Sequence, residues 1–470
     1  MAKAKKSYVC NECGMDFARW QGQCNSCGSW NTISEIVLTN NNSVSAKLND
    51  ALGGRQGGYA GGGSTKAKTI DEIDLDEIIK YKTGQPELDR VLGGGVTAGS
   101  IVLISGDPGA GKTTLLTQVV HYMHKSLPSM YNTSEESLPQ WVLRAKGRLG
   151  LAFSNDTFFM GDTDNVETLI KMVEDNKVKF LVTDSIQALS SSSENGRAGG
   201  VTQVKTCASL LTRLCKQHGV TILLVGQVTK NSEMAGPQEL KHIIDATVHI
   251  EVTDGDVRFL RSDKNRFGNT DQVGVFQMTG DKGMVSVTNP SRLFLSNSEE
   301  EYSGSAVTVI KDGSRNILIE IQSLVTDVEG EKSMKNCIGV SYSRLSLITQ
   351  VLKKHGGIKT YYDINVSLVG GIKLPDTETS TDLSVAASFI SSVNNKVVPR
   401  DSVFIGEVAL TGEIRQVRDG LSRVKECITH RKRQIYIPHA NYCKKMQSLS
   451  TDECKIIPLK KIKDLIEALS

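Results

Sequence analysis

Gly106-Asp107-Pro108-Gly109-Ala110-Gly111-Lys112-Thr113 matches G-x-x-x-x-G-K-[ST], a spacing that suits the phosphates of a nucleoside triphosphate. Glycines let such a loop wrap closely enough for backbone N–H groups to point at phosphate oxygens. A helix starting directly after it turns its positive end toward the same charge. Lys112 is placed to reach the β and γ phosphates, and the Thr113 hydroxyl to ligate Mg²⁺. Hydrolysis also needs a carboxylate on the metal side, and Asp184, directly after Phe180-Leu181-Val182-Thr183, stands at the end of a candidate strand. A base to orient water is offered by Glu135 or Glu136, which follow another candidate strand; position alone leaves both open, and leaves a solvated role open too. Gln227 follows Leu223-Leu224-Val225-Gly226, where a strand-end amide can sense a γ-phosphate.

Two further groups carry chemistry. Cys10-x-x-Cys13 and Cys24-x-x-Cys27 are tight pairs separated by ten residues, and each pair is followed by glycine. Four thiolates at this spacing wrap one tetrahedral ion, with Zn²⁺ expected over iron, and a double disulfide does not suit a reducing compartment. A module this small has little core, so the metal supplies most of its folding free energy. Arg19, Trp20 and Trp30 beside the ligands suit either a nucleic-acid strand or a protein partner. The remaining six cysteines lack metal spacing and read as reduced thiols. The second group, Lys264-Asn265-Arg266-Phe267-Gly268, brackets an Asn with two cations. It reads either as a charged surface loop or as a loop contacting phosphate or nucleic acid.

The elements that must position these residues form four stretches. Residues 1–36 are the cysteine module, and 37–68 are rich in Asn, Ser and Gly, the composition of a flexible linker. From 69 to 290 short apolar runs alternate with amphipathic helices, the pattern of a mostly parallel α/β sheet. Ile101–Ile104, Phe180–Thr183 and Ile222–Val225 are its clearest buried strands. Residues 291–470 read as a second α/β or α+β region with strands near 306–310, 316–320 and 403–406. The chain has 470 residues, 39% hydrophobic, with 55 basic against 52 acidic side chains. Its net charge of +3 gives no whole-chain field, so any polyanion surface must come from local placement. No apolar run is long enough to span a bilayer and the N-terminus has no secretory core, so no membrane association and a cytoplasmic location are expected.

Taken in order, these features resemble the bacterial RadA (Sms) family of DNA-repair proteins over essentially the whole chain. The matching residues are the two Cys-x-x-Cys-Gly pairs with Ala18-Arg19-Trp20, Trp30-Asn31-Thr32, Leu88-Asp89-Arg90-Val91-Leu92-Gly93-Gly94-Gly95 and the phosphate loop. Asp184-Ser185-Ile186-Gln187, Val228-Thr229-Lys230, Ala235-Gly236-Pro237 and Lys264–Gly268 complete the set. The resemblance implies a zinc finger, a RecA-like ATPase core and a Lon-protease-like C-terminal domain. It implies a DNA-dependent, helicase-like ATPase of recombinational repair that uses ATP, Mg²⁺ and Zn²⁺. Its partners would be single-stranded and branched DNA, the recombinase RecA, and further copies of itself in a hexameric ring. On the same ground Glu135 becomes the catalytic base, and Lys264 and Arg266 engage DNA or a neighbouring subunit's nucleotide. Gln227 stands where the family pattern usually has His, and resembles the sensor Gln of RecA.

Fold analogy also raises a peptidase. The Lon nucleophile segment aligns Ser380 with the serine, and counting onward puts Ser422 at the lysine position, with Lys425 three residues beyond. A serine without its base is inert, so a non-proteolytic scaffold is expected, with Arg415, Arg418, Arg423 and Lys425 as candidate duplex-DNA contacts. A nucleotide-switched repair scaffold that does not translocate is the alternative to the motor.

Overall fold

The computed structural model describes residues 79–227 and 237–470, apart from positions 155, 254, 297, 299, 329–332 and 372. It also describes stretches 5–10, 16–17 and 33–38 and positions 21–23, 25, 30 and 69. Strands β1 (Lys5–Cys10), β2 (Asp16–Phe17) and β3 (Ile33–Leu38) form a small antiparallel sheet in the order β2-β1-β3. The linker expected over 37–68 lies outside the described residues beyond Leu38.

A short hairpin of β4 (Lys80–Tyr81) and β5 (Val96–Thr97) leads into the central sheet. Its parallel half comprises β6 (Ile101–Gly106), β7 (Ser129–Thr133), β8 (Phe158–Gly161), β9 (Phe180–Asp184), β10 (Thr221–Gln227) and β11 (Ala246–Val252). Three antiparallel strands extend it: β12 (Val257–Asn265), β13 (Val273–Thr279) and β14 (Gly283–Ser286). The order is β14-β13-β12-β11-β6-β10-β9-β7-β8, which puts β6 between β11 and β10 near the centre. The three runs expected as buried strands fall within β6, β9 and β10, whose residues are buried on both faces apart from Gln227. Helix Lys112–Met123 packs Leu115, Leu116 and Val119 on one face. Helices Val166–Asp175 and Val201–His218 pack Leu169, Leu211 and Leu214 on the other. A central parallel strand covered on both sides delivers its last residue to the rim without freedom to tilt, which is what a phosphate loop needs.

The C-terminal region forms a mixed sheet from β15 (Ser305–Asp312), β16 (Arg315–Thr326), β17 (Lys335–Ile338), β18 (Asp363–Leu368) and β19 (Ser402–Phe404). A side hairpin of β20 (Glu407–Val408) and β21 (Ile414–Arg415) precedes β22 (Gln434–Pro438) and β23 (Lys455–Leu459). The sheet order is β17-β18-β16-β15-β19-β22-β23. The strand expectations at 306–310 and 316–320 lie inside β15 and β16, and β19 covers part of 403–406. Phe259, Val273 and Val275 of the central sheet share one apolar cluster with Ile310, Ile317 and Ile319, so the core runs without a break across residue 290. The β15–β16 turn docks on the central sheet. Arg261 meets Asp312 through two N–H groups at 2.5 and 2.8 Å, and Arg315 pairs with the fully buried Glu87. No helix among the described residues is long and apolar enough to cross a membrane.

Candidate nucleotide site

The phosphate loop follows β6 directly and passes into helix Lys112–Met123. Gly106 has φ +150°, and a Cβ there would lie 2.7 Å from the Ile250 carbonyl oxygen. Gly111, the residue before the helix, has φ +99°, and a Cβ there would lie 2.4 Å from Met278 Cε. A side chain at Gly106 would run into fixed backbone, and at Gly111 the positive φ itself disfavours one, so both motif glycines have a geometric reason. The Lys112 ammonium donates to the carbonyls of Gly106 at 2.8 Å and Asp107 at 2.9 Å, folding over the loop. Burial lowers its pKa, opposed by the nearby Asp184, Glu135 and Asp107 carboxylates.

Asp184 ends β9 beside this loop. Its Oδ2 accepts from the Thr113 hydroxyl at 2.7 Å and from the Tyr131 hydroxyl at 2.9 Å. Burial pushes its pKa up, against the pull of these two donors. Tyr131 is fully buried in β7 and packs on Trp141 with ring centroids 5.0 Å apart. Its own pKa stands well above the usual tyrosine range because burial and Asp184 both disfavour the phenolate, so it serves Asp184 as a donor.

Glu135 and Gln227 meet across the ends of β7 and β10. The Gln227 amide donates to Glu135 Oε1 at 3.0 Å and Oε2 at 3.2 Å, and the Ser185 hydroxyl donates to Oε1. Glu136, the other carboxylate open on position alone, is held in an ion pair by Arg144. Lys112, Thr113, Asp184, Glu135 and Gln227 therefore share one rim of the sheet. Tyr131, Ser185 and Arg144 join them. Tyr131 is signalled in the sequence only by its place in a buried strand, and Ser185 by its place directly after Asp184 in the family motif.

The Lys264–Gly268 loop sits elsewhere. Asn265 pairs with Ala246 and Ala246 with Val102, so the loop lies at the start of β6, the end opposite Gly106. A bulge at Asp263 re-aims the next residue. Lys264 donates to the carbonyls of Ile244 at 2.6 Å and of Lys241, at the C-terminal end of helix Pro237–Ile243. Arg266 pairs with Asp245 at 3.2 Å and donates to the His242 carbonyl at 3.0 Å. The Asn265 carbonyl oxygen of the side chain accepts from the Phe267 N–H, and Lys80 ties the Phe267 carbonyl to that of Gly93. The same positive charge that suits a phosphate thus caps a helix C-terminus within this chain. Val228-Thr229-Lys230 and Ala235-Gly236 lie outside the described residues.

Cys13, Cys24 and Cys27 lie outside the described residues, as does the side chain of Cys10, whose backbone ends β1. Among the described residues no group of three or more His, Cys, Asp or Glu is placed to hold a metal ion.

In the C-terminal region two expectations need correction. Ser380 is 3% exposed, and its hydroxyl donates to Glu378 and accepts from the Arg423 guanidinium at 2.7 Å. Arg423, not the neighbouring Ser422, faces the serine. Ser422 turns back to the Asp419 carbonyl at 2.8 Å. Arg423 is itself 3% exposed and bonded to the Val309 and Arg418 carbonyls, so it is no candidate for duplex DNA. Its side chain is spent inside the fold.

Comparison with known proteins agrees with this geometry. A model described as AAA domain matches residues 67–233, one described as rubredoxin metal binding domain matches 8–35, and one described as subunit ChlI of Mg-chelatase matches 361–441. Proteins named DNA repair protein RadA are similar along their whole length. That of Haemophilus influenzae is 42% identical, covering 100% of this chain and 99% of the relative. That of Escherichia coli is 42% identical with 99% of each covered, and that of Mycobacterium tuberculosis 37% identical with 91% and 86% covered. A solved KaiC-like protein from Pyrococcus horikoshii matches 45% of this chain and 99% of its own at 20% identity, with a TM-score of 0.39, too loose to inform the fold. With a phosphate loop, a metal-side carboxylate and a glutamate–glutamine pair on one rim, and relatives alike from end to end, this chain belongs to the RadA family of P-loop ATPases.

Proposed function

We propose that this chain is a DNA-dependent ATPase of recombinational repair. In this reading it processes branched intermediates and promotes strand exchange or branch migration with RecA, as a helicase-like translocating hexameric ring. The observation that carries the reading is the meeting of Thr113–Asp184 and Glu135–Gln227 around one phosphate loop. The shared name of the relatives points the output of hydrolysis toward DNA repair.

The residues fit ATP with Mg²⁺: a glycine-rich loop leading into a helix N-terminus, a lysine, and a hydroxyl 2.7 Å from a carboxylate. Bound Mg²⁺ would neutralise charge developing on the phosphates. Lys112 exchanges the Gly106 and Asp107 carbonyls for phosphate oxygens. Thr113 and Asp184 hold the metal side, and Tyr131 keeps Asp184 from turning. Glu135 takes the proton of the attacking water, which requires Gln227 and Ser185 to loosen their hold on its oxygens. Gln227 is the natural sensor, because a γ-phosphate competes with Glu135 for its amide.

The flanking regions complete the proposal. Cys10, Cys13, Cys24 and Cys27 hold one Zn²⁺ in module 1–36, supported by their spacing and by the rubredoxin-type match. Residues 37–68 link it to the ATPase domain, 69–290, and 291–470 form a Lon-protease-like scaffold without peptidase activity. Arginine on Ser380 supports the last point, since a guanidinium does not serve as a base.

The test is ATP turnover with and without single-stranded DNA, followed by extension of a D-loop in the presence of RecA. DNA should stimulate turnover, and Lys112→Ala should lose both turnover and extension. Equal extension by wild type and Lys112→Ala would overturn the motor, and nucleotide-dependent RecA binding without movement would leave the switched scaffold in its place.

A further inference from the structure

Asp245 sits between helix Pro237–Ile243 and β11, at the end of the sheet away from the phosphate loop. Its side chain is 2% exposed, and a carboxylate so buried must be matched by donors. Oδ2 accepts from the Ile101 N–H at 3.1 Å and pairs with Lys216 at 2.8 Å. Those two partners already satisfy one oxygen and balance the charge. Oδ1 nevertheless holds Arg266 at 3.2 Å, and the Asp245 carbonyl accepts from the Arg266 N–H at 3.1 Å.

Arg266 is therefore not needed to neutralise Asp245. Lys216, Lys264 and Arg266 set three cations against this one carboxylate, while nearby Asp263 has its own partner in Lys241 at 3.8 Å. The surplus is positive, and its most accessible member is Arg266, 48% exposed, beside Lys216 at 24%. Two of the five guanidinium donors meet Asp245 and the His242 carbonyl. Fixing part of an arginine against a rigid acid removes the rotamer freedom that an exposed side chain otherwise loses on binding. We propose that Asp245 is a positioning residue, which presents the exposed part of the Arg266 guanidinium to a phosphate outside this chain. The phosphate belongs to a neighbouring subunit's nucleotide or to a nucleic-acid strand. The proposal rests on the ATPase reading above and names a residue for it.

The experiment compares wild type, Arg266→Ala, Arg266→Lys, Asp245→Asn and the Asp245→Asn/Arg266→Ala double variant. Turnover is measured with and without single-stranded DNA, DNA affinity by anisotropy without nucleotide, and folding by thermal melting. Asp245→Asn should reproduce the Arg266→Ala defect of about ten-fold, and the double variant should fall no further than about two-fold below Arg266→Ala. Arg266→Lys keeps the charge but not the fork, so it should recover less than half of the lost function. A loss in kcat without DNA names the nucleotide as source, and a loss confined to DNA affinity names the strand. Additive losses, or wild-type behaviour of Asp245→Asn or of Arg266→Lys, would overturn the proposal. If Asp245→Asn does not fold, Asp245→Glu takes its place: it keeps the charge but displaces the carboxylate, so it should show the Arg266→Ala defect, and wild-type behaviour of a folded Asp245→Glu would overturn the proposal. A wild-type chain that hydrolyses ATP without responding to DNA would instead sink the DNA-dependent reading, and the same comparison then stands on basal kcat.

Discussion

Asp184 Oδ2 takes two hydroxyl donors, and they differ in what their loss should do. Thr113 shares the metal side, whereas Tyr131 approaches from the buried interior, beside Trp141. Tyr131→Phe keeps the packing on Trp141 and deletes one donor, so the fold should hold while Asp184 becomes freer to turn. The Mg²⁺ concentration for half-maximal binding of a fluorescent ATP analogue should rise by about three- to ten-fold. An unchanged Mg²⁺ titration would remove Tyr131 from the site. Glu135→Gln acts on a different step: nucleotide affinity should stay within a few-fold while kcat falls by about a hundred-fold or more. Asp382 offers a pH test in the C-terminal region. Burial pushes its pKa up to about 6 although Arg344 and the Val408 N–H both hold the carboxylate. A raised pKa makes the protonated form the stabilising one, so its contribution is present below about 3.8 and is lost as pH rises through about 6. Asp382→Asn should flatten that part of a melting-temperature–pH curve, and an unaltered slope would show that another group sets it.

The motif elements were legible because their chemistry is local. A glycine-rich octamer between an apolar run and a helix depends on neighbours in sequence, and so does a carboxylate at a strand end. Arg423 shows the limit. Helical phase decides whether residue 422 or 423 faces Ser380, and a gapless count from a loose alignment cannot fix that phase. The Lys264–Gly268 loop shows another, since its partners Asp245, Lys216 and Lys80 come from three distant elements. The break expected near residue 290 is likewise bridged by contacts that are remote in sequence. Arg261 on β12 and Asp312 at the end of β15 form a two-pronged pair, with Glu251 on the remaining guanidinium edge at 2.7 Å. Both are partly exposed, at 33% and 21%, so screening reduces the gain to about 1–2 kcal/mol. A double-mutant cycle with Arg261→Ala and Asp312→Ala, followed by denaturant unfolding, should return a coupling of that size. Unfolding should remain a single transition because the apolar cluster still spans both regions. Separate transitions in the wild type would mean that the two regions fold independently.

At the scale of the whole molecule, the decisive fact is that the phosphate loop and the Lys264–Gly268 loop occupy opposite ends of one strand. β6 has six residues, so its ends lie about 17 Å apart. That is too far for Arg266 to serve the nucleotide of its own chain without rebuilding the sheet. If Arg266 acts on a nucleotide, it acts on a neighbour's, and turnover must depend on assembly. Two consequences follow from the ring reading. Dilution below the assembly range should lower turnover per chain more steeply than it lowers ATP binding. Mixing Lys112→Ala chains, which keep an intact Arg266, with Arg266→Ala chains, which keep an intact phosphate loop, should restore activity that neither has alone. In a mixed ring each functional site then needs a Lys112 from one chain and an Arg266 from the next, so about a quarter of the interfaces would be complete at equal mixing. Arg266 acting on DNA alone predicts something else: basal turnover by Arg266→Ala would match wild type, and mixing would add nothing to it. The mixing curve separates these roles without knowing the ring size, because only a site shared between chains gains from a partner that cannot itself turn over ATP.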